Sequence, residues 1–250
     1  MHRRCSLAVI GCLIALTGCG DDGPDAATRP TPSTSQPTID TDTVAAATVS
    51  VQAEGCSPRT RFGVGTAIDD GLIVTVAHVI AGSEEVDVAG IAGRSTADVV
   101  FFDPDLDIAL LRPARPLGPN TALRSSGVEA GERGLVVLPR LSSPAPDDGS
   151  DDVDDAGLLD VTIARPVTIR TTDIYRETDV ERAGFEVTAT IEPGDSGAMV
   201  HTTDGGAGLI WARSNERIDR AWAVDLPPVL FDGQALSNLT EPVDVGRCVD

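Results

Sequence analysis

One serine, two histidines and a few carboxylates could give this chain hydrolytic chemistry. Ser196 lies in "IEPGDSGAMV", residues 191–200, a Gly- and Asp-containing cluster with apolar residues on both sides. Gly, Asp and Ser also suit a plain surface turn, so the serine matters only if the chain supplies a base for it. A serine hydroxyl is a weak nucleophile at neutral pH. An imidazole must take its proton, and an acceptor must fix the imidazole tautomer. Of the three histidines, His2 lies in a leader-like N-terminus, and His201 heads into "TTDGG" and reads as an exposed loop residue. Ala77-His78 directly follows the strand-like run at residues 72–76 in "GLIVTVAHVIAG", and His78 is the candidate base.

The candidate acceptor is Asp107. In "VVFFDPDLDIALLRP" the Asp103-Pro104 pair reads as a turn, after which Leu106, Ile108 and Leu110 alternate with Asp107, Ala109 and Leu111. Asp107 therefore opens an apolar strand, where an unpaired charge would be costly, and His78 is a suitable partner. Asp103 and Asp105 fall in the turn and read as solvated. Asp98 lacks the following apolar strand. The expected chain order is base, acid, nucleophile: His78, Asp107, Ser196.

The elements that must hold these groups read as strands. Val, Ile and Thr recur in short runs punctuated by Gly, Pro and Asp, and long amphipathic helices are not evident, which favours an all-β domain. The chain has 250 residues, a formal charge of −20 and no lysine. That acidity excludes a nucleic-acid binder, which needs a basic footprint to displace condensed counterions.

"TVAHV", "DIALL" and "PGDSG" resemble the signatures around the catalytic His, Asp and Ser of chymotrypsin-like serine proteases. "IEPGDSGAMV" is also similar to the high-temperature-requirement proteases of bacterial envelopes. The resemblance spans residues 46–234 and implies two antiparallel β-barrels with the site between them. His78 and Asp107 would lie on a first barrel at about residues 46–122, and Ser196 on a second at about 128–234. It implies a serine endopeptidase with an oxyanion hole made by the N–H groups of Gly194 and Ser196. It also implies a substrate pocket with Thr190 at its base and the "LIWARS" strand, Ile210 and Trp211 included, as its wall. Thr190 carries no charge, so a small or medium apolar side chain is expected before the cut. Peptides or proteins are the expected substrates, with no cofactor, no metal and a monomeric chain.

Three departures stand out. Ala198 occupies a position that is usually Gly. Asp195 pairs with a newly cut N-terminus in digestive relatives and needs another partner here, an arginine being one option. No peptide-binding module is expected in the stretch after Ser196. The first two keep a second reading open, a protease-like cleft that binds peptides or partner proteins without cutting them, and a latent enzyme activated by a cut near Cys56 is a third.

The N-terminal "MHRRCSLAVIGCLIALTGC" has two arginines, an apolar run too short to span a bilayer, and small residues before Cys19. It resembles the bacterial lipobox, which implies a signal peptide at 1–18, lipidation of Cys19, and a domain held on the outer side of the membrane. Residues 19–45 are rich in Pro, Thr, Ser and Asp and read as a disordered tether. Cys5 and Cys12 would leave with the signal. Cys56 and Cys248 then remain in an oxidising compartment and are expected to pair. "SSPAPDDGSDDVDDAG", residues 142–157, holds six Asp and reads as a solvated loop, since its spacing lacks the Gly and terminal Glu of a calcium loop.

Overall fold

A computed structural model describes residues 38–56, 60–139 and 157–249. The leader with Cys19, residues 19–37 of the expected tether, and all of the acidic insert except Gly157 lie outside the described residues. The remainder of the tether expectation is corrected. Residues Thr41–Ala47 form helix α1, with the Asp40 side chain accepting from Thr43 N–H as its N-cap. Val44 is buried among Leu135 and Val137, which gives this segment a reason to be ordered.

Strands β1 (Thr48–Glu54), β2 (Arg61–Ala67), β3 (Ile73–Thr75), β4 (Glu85–Gly90), β5 (Gly93–Asp103) and β6 (Ile108–Pro113) close an antiparallel barrel in the order β1-β2-β3-β6-β5-β4. Strands β7 (Arg133–Val137), β8 (Leu158–Thr172), β9 (Asp179–Thr188), β10 (Met199–Thr202), β11 (Gly205–Arg213) and β12 (Ala221–Asp225) close a second in the order β10-β11-β12-β9-β8-β7. The all-β, two-barrel expectation holds. The period-two rule is visible in β1, where Val49, Val51 and Ala53 are buried while Ser50 and Glu54 are exposed. In β6 it gives way, because Ile108, Ala109, Leu110 and Leu111 are all fully buried. Both faces of that strand are covered.

Part of the cover comes from late in the chain. The second barrel's last strand ends at Asp225, short of the expected 234. The chain then makes a 3-10 turn at Pro228–Phe231 and a short helix, Gly233–Ser237. Leu226, Leu230 and Leu236 from this stretch are buried in the same apolar cluster as Ile108, Leu110 and Leu111. Cys56 and Cys248 form a disulfide, with Cα atoms 5.6 Å apart across a sequence separation of 192. Among the described residues no helix is long and apolar enough to cross a membrane.

The hairpin of β8 and β9 is longer than its neighbours require. β7 pairs with residues 158–162 and β12 with residues 184–187. The outer half, residues 168–172 paired with residues 179–183, extends past both. Its turn meets the first barrel, where Ile174 N–H donates to Pro104 O at 3.2 Å.

Candidate active site

His78 sits in α2 (Ala77–Ile80), a single helical turn that follows β3. The buried β3 fixes where that turn starts, and Arg61 Nη1 donates to His78 O at 2.9 Å. Asp107 occupies the turn between β5 and β6. Asp103 Oδ1 organises this turn by accepting from the N–H groups of Asp105 at 3.0 Å and Leu106 at 2.8 Å. Asp107 itself has φ +61°, a left-handed conformation that Asp tolerates better than most residues. It is 2% exposed and meets His78 twice. Oδ1 accepts from the His78 backbone N–H at 2.8 Å, and Oδ2 lies 2.8 Å from His78 Nδ1. Asp98 and Asp105 are exposed, and the Asp103 carboxylate serves its own turn.

Burial alone would push the Asp107 carboxyl up. The charge and hydrogen bonds of His78, with help from Arg182, outweigh this and hold it below its ordinary value. The carboxylate therefore stays ionised, and the protonated Nδ1 that it favours leaves Nε2 as the free basic nitrogen.

The serine segment reaches this pair through backbone contacts. Val64 N–H, in β2, donates to Ser196 O at 2.8 Å. A methyl group at Gly63 would lie 2.8 Å from a Val79 methyl and 2.9 Å from Ser196 O, so the serine backbone and the residue after His78 crowd the same point. Gly197, at φ +91°, could not carry a side chain, because a Cβ there would strike Val64 O and Thr75 Oγ1. Its N–H donates to Ile210 O at 2.7 Å, which ties the serine turn to β11. Gly194 has φ +103° and open space where a Cβ would be. Among the described residues, the Gly194 and Ser196 N–H groups donate to no backbone carbonyl. Asp195 is 1% exposed, and its Oδ2 accepts from Glu192 N–H at 2.8 Å.

The expected pocket residues have separate surroundings. Thr190 is exposed. Ile210 is fully buried in the second-barrel core, so its side chain is a core group, and its backbone bonds to the serine turn. Trp211 shares a recess of about 300 Å³ with His78, Asp107, Ile174 and Arg182.

Two residues were not legible as they stand. Arg182 is buried against Asp107 Oδ2 at 3.8 Å. Its signal was the strand phase in "DVERAG", which puts it in step with Val180 and Gly184. His201 is the clear correction. It is a strand residue of β10, 2% exposed, and neither ring nitrogen has a hydrogen-bond partner among the described residues. Burial pulls its pKa from 6.5 to about 4. An unfolded histidine binds a proton near pH 6.5, while the folded one stays neutral until about pH 4. Stability from this residue is therefore complete above pH 6.5 and is lost as pH falls through that window, by about 3 kcal/mol in all. Urea unfolding from pH 7.5 to 4 should show this decline, and His201→Gln should flatten it. Parallel pH profiles for the two proteins would refute the assignment.

A family model of the trypsin-like peptidase domain matches residues 63–207, more than half of the chain. Two Mycobacterium tuberculosis chains, serine protease Rv3671c of strain H37Rv and serine protease MT3772 of strain CDC 1551, are each 28% identical over 208 residues. The match covers 80% of this chain and 48% of each relative, so the chain spans about half the length of the curated relatives it matches. Among solved structures, the active form of the M. tuberculosis Rv3671c protease superposes with a TM-score of 0.68 at 23% identity, covering 83% of this chain and 87% of that one. The HtrA-type protease AlgW with a tripeptide superposes at 0.59 and 21% identity, covering 79% and 62%. The fold is shared with both. The chain belongs to the trypsin-like peptidase family of serine proteases, built on the chymotrypsin-like pair of β-barrels.

Proposed function

We propose that this chain is a serine endopeptidase that works through Ser196, His78 and Asp107 by way of an acyl-enzyme. His78 Nε2 takes the proton from Ser196 Oγ as the oxygen attacks the scissile carbonyl. The imidazolium that forms is stabilised by the adjacent Asp107 carboxylate, then gives its proton to the departing amine. Water repeats the sequence on the acyl-enzyme and frees Ser196. The N–H groups of Gly194 and Ser196 receive the developing oxyanion, a role in which one donor is worth about 100- to 1000-fold in rate. The observation that carries the reading is the two-point contact between Asp107 and His78, which fixes both the ring and its tautomer.

The proposed location is the outer side of a bacterial membrane, through lipid on Cys19. The proposed substrates are exported peptides or proteins cut after a small or medium apolar residue.

One experiment addresses chemistry and location together. Full-length protein extracted from membranes is treated with a fluorophosphonate and mapped by mass spectrometry, with a peptide-library digest run alongside. The expected result is an adduct on Ser196 and an N-terminus that begins at a diacylated Cys19. Folded protein that takes up no fluorophosphonate would overturn the hydrolase reading and leave the cleft as a binding site.

A further inference from the structure

Arg182 is 2% exposed in a chain of formal charge −20. A buried guanidinium is costly unless its donors are used and its charge is met. Here both happen at one place. Nε donates to Asp105 O at 2.6 Å, and Nη2 donates to Thr172 O at 3.4 Å and Pro104 O at 3.5 Å. Nη1 lies 3.8 Å from Asp107 Oδ2, the oxygen that already meets His78 Nδ1. The guanidinium also stands over the Trp211 ring, 5.1 Å from its centroid, within cation–π range. Asp103, Asp105, Asp107 and Asp173 are the acids whose charges it feels.

The residues involved belong to different barrels. Arg182 is in β9, on the overlong hairpin of the second barrel. Pro104, Asp105 and Asp107 form the β5–β6 turn of the first. Asp107 holds a left-handed backbone, and such a conformation persists in a non-glycine residue only where its surroundings over-determine it. Arg182 ties down the Pro104 and Asp105 carbonyls earlier in the same turn and places its charge on the carboxylate oxygen that meets His78. A cation needed only to join two barrels has no reason to be aimed at that oxygen.

We propose that Arg182 is a positioning residue, a clamp from the second barrel that holds the Asp107 carboxylate in register with His78, so that the base is oriented only when the barrels are seated together. The proposal rests on the triad reading above, and its test separates the two.

Arg182→Met and Arg182→Lys are compared with wild type in three measurements: melting temperature, fluorophosphonate inactivation kinetics, and the downfield proton resonance of His78 Nδ1–H. In folded Arg182→Met the saturating inactivation rate should fall about 100-fold, the size expected when a reacting group is misplaced by about 1 Å. The half-saturating probe concentration should stay unchanged and the His78 resonance should broaden away. Arg182→Lys keeps the charge but cannot span Asp105 O and Asp107 together, so it should fall between the two. Folded Arg182→Met with wild-type rate and resonance would overturn the proposal. If Arg182→Met does not fold, Arg182→Lys decides by the same criteria. If wild type itself takes up no probe, the hydrolase reading fails, and the resonance alone decides the clamp: its loss in the variants supports it and its persistence overturns it.

Discussion

Asp107→Asn is expected to fold and to lose about four orders of magnitude in acylation rate, the loss known for this substitution in the triad of related enzymes. The reason is an acceptor count. Asp107 now accepts twice, from His78 N–H at Oδ1 and from Nδ1–H at Oδ2. Asparagine has one oxygen and one NH2 group. With the oxygen on the backbone N–H, the NH2 faces Nδ1 and pushes the ring proton to Nε2. That nitrogen can then no longer accept from Ser196. The substitution also removes a negative charge 3.8 Å from the buried Arg182, so a lower melting temperature should accompany the lost activity. Stopped-flow labelling with a fluorophosphonate, beside a thermal melt, measures both. Wild-type labelling by a folded Asp107→Asn protein would transfer the acid role to Asp103 or Asp105.

The second large effect is on stability. Joining Cys56 to Cys248 closes a loop of 192 residues' separation. In the chain-entropy account, so long a loop destabilises the unfolded chain by about 5 kcal/mol. At about 2–4 °C per kcal/mol for a domain of this size, the double variant Cys56→Ser, Cys248→Ser should melt about 10–20 °C below wild type. The native contacts of the tail should still form in it, since Gly82 N–H donates to Val245 O at 2.9 Å and Val243 N–H to Val99 O at 2.8 Å. A calorimetric scan decides the matter, and an unchanged melting temperature would mean that the bridge constrains nothing the folded chain does not already constrain.

The barrel strands were legible because one face of a strand such as β1 is wet and the other dry, which writes an alternation into the residues. His78 and Asp107 were legible for a related reason. Each adjoins an apolar strand, where a polar group needs a partner. His201 was misread because "TTDGG" after it looks like a loop, and residue types alone did not show that the strand runs to Thr202 with all four residues buried. Arg182 was missed because its hydrogen-bond acceptors, the carbonyls of Pro104, Asp105 and Thr172, are backbone groups. They leave no mark on side-chain identity. Ile210 was placed in a pocket wall although β11 turns its side chain into the core. The pattern identified the strand but not which neighbour covers which face. The helix at Thr41–Ala47 was hidden by the polar composition leading up to it, while Val44, one of its two buried residues, packs on strands far along the chain.

Leu226, Leu230 and Leu236 complete the interior around β6. They leave the ribosome long after the strands they cover, so the half of the molecule made first waits for residues made late. Chains generally fold from the N-terminus as they are synthesised, but here the six leading strands keep an open, greasy side until residues 226–236 have emerged. A nascent chain stalled before residue 226 therefore exposes a ready surface for chaperones.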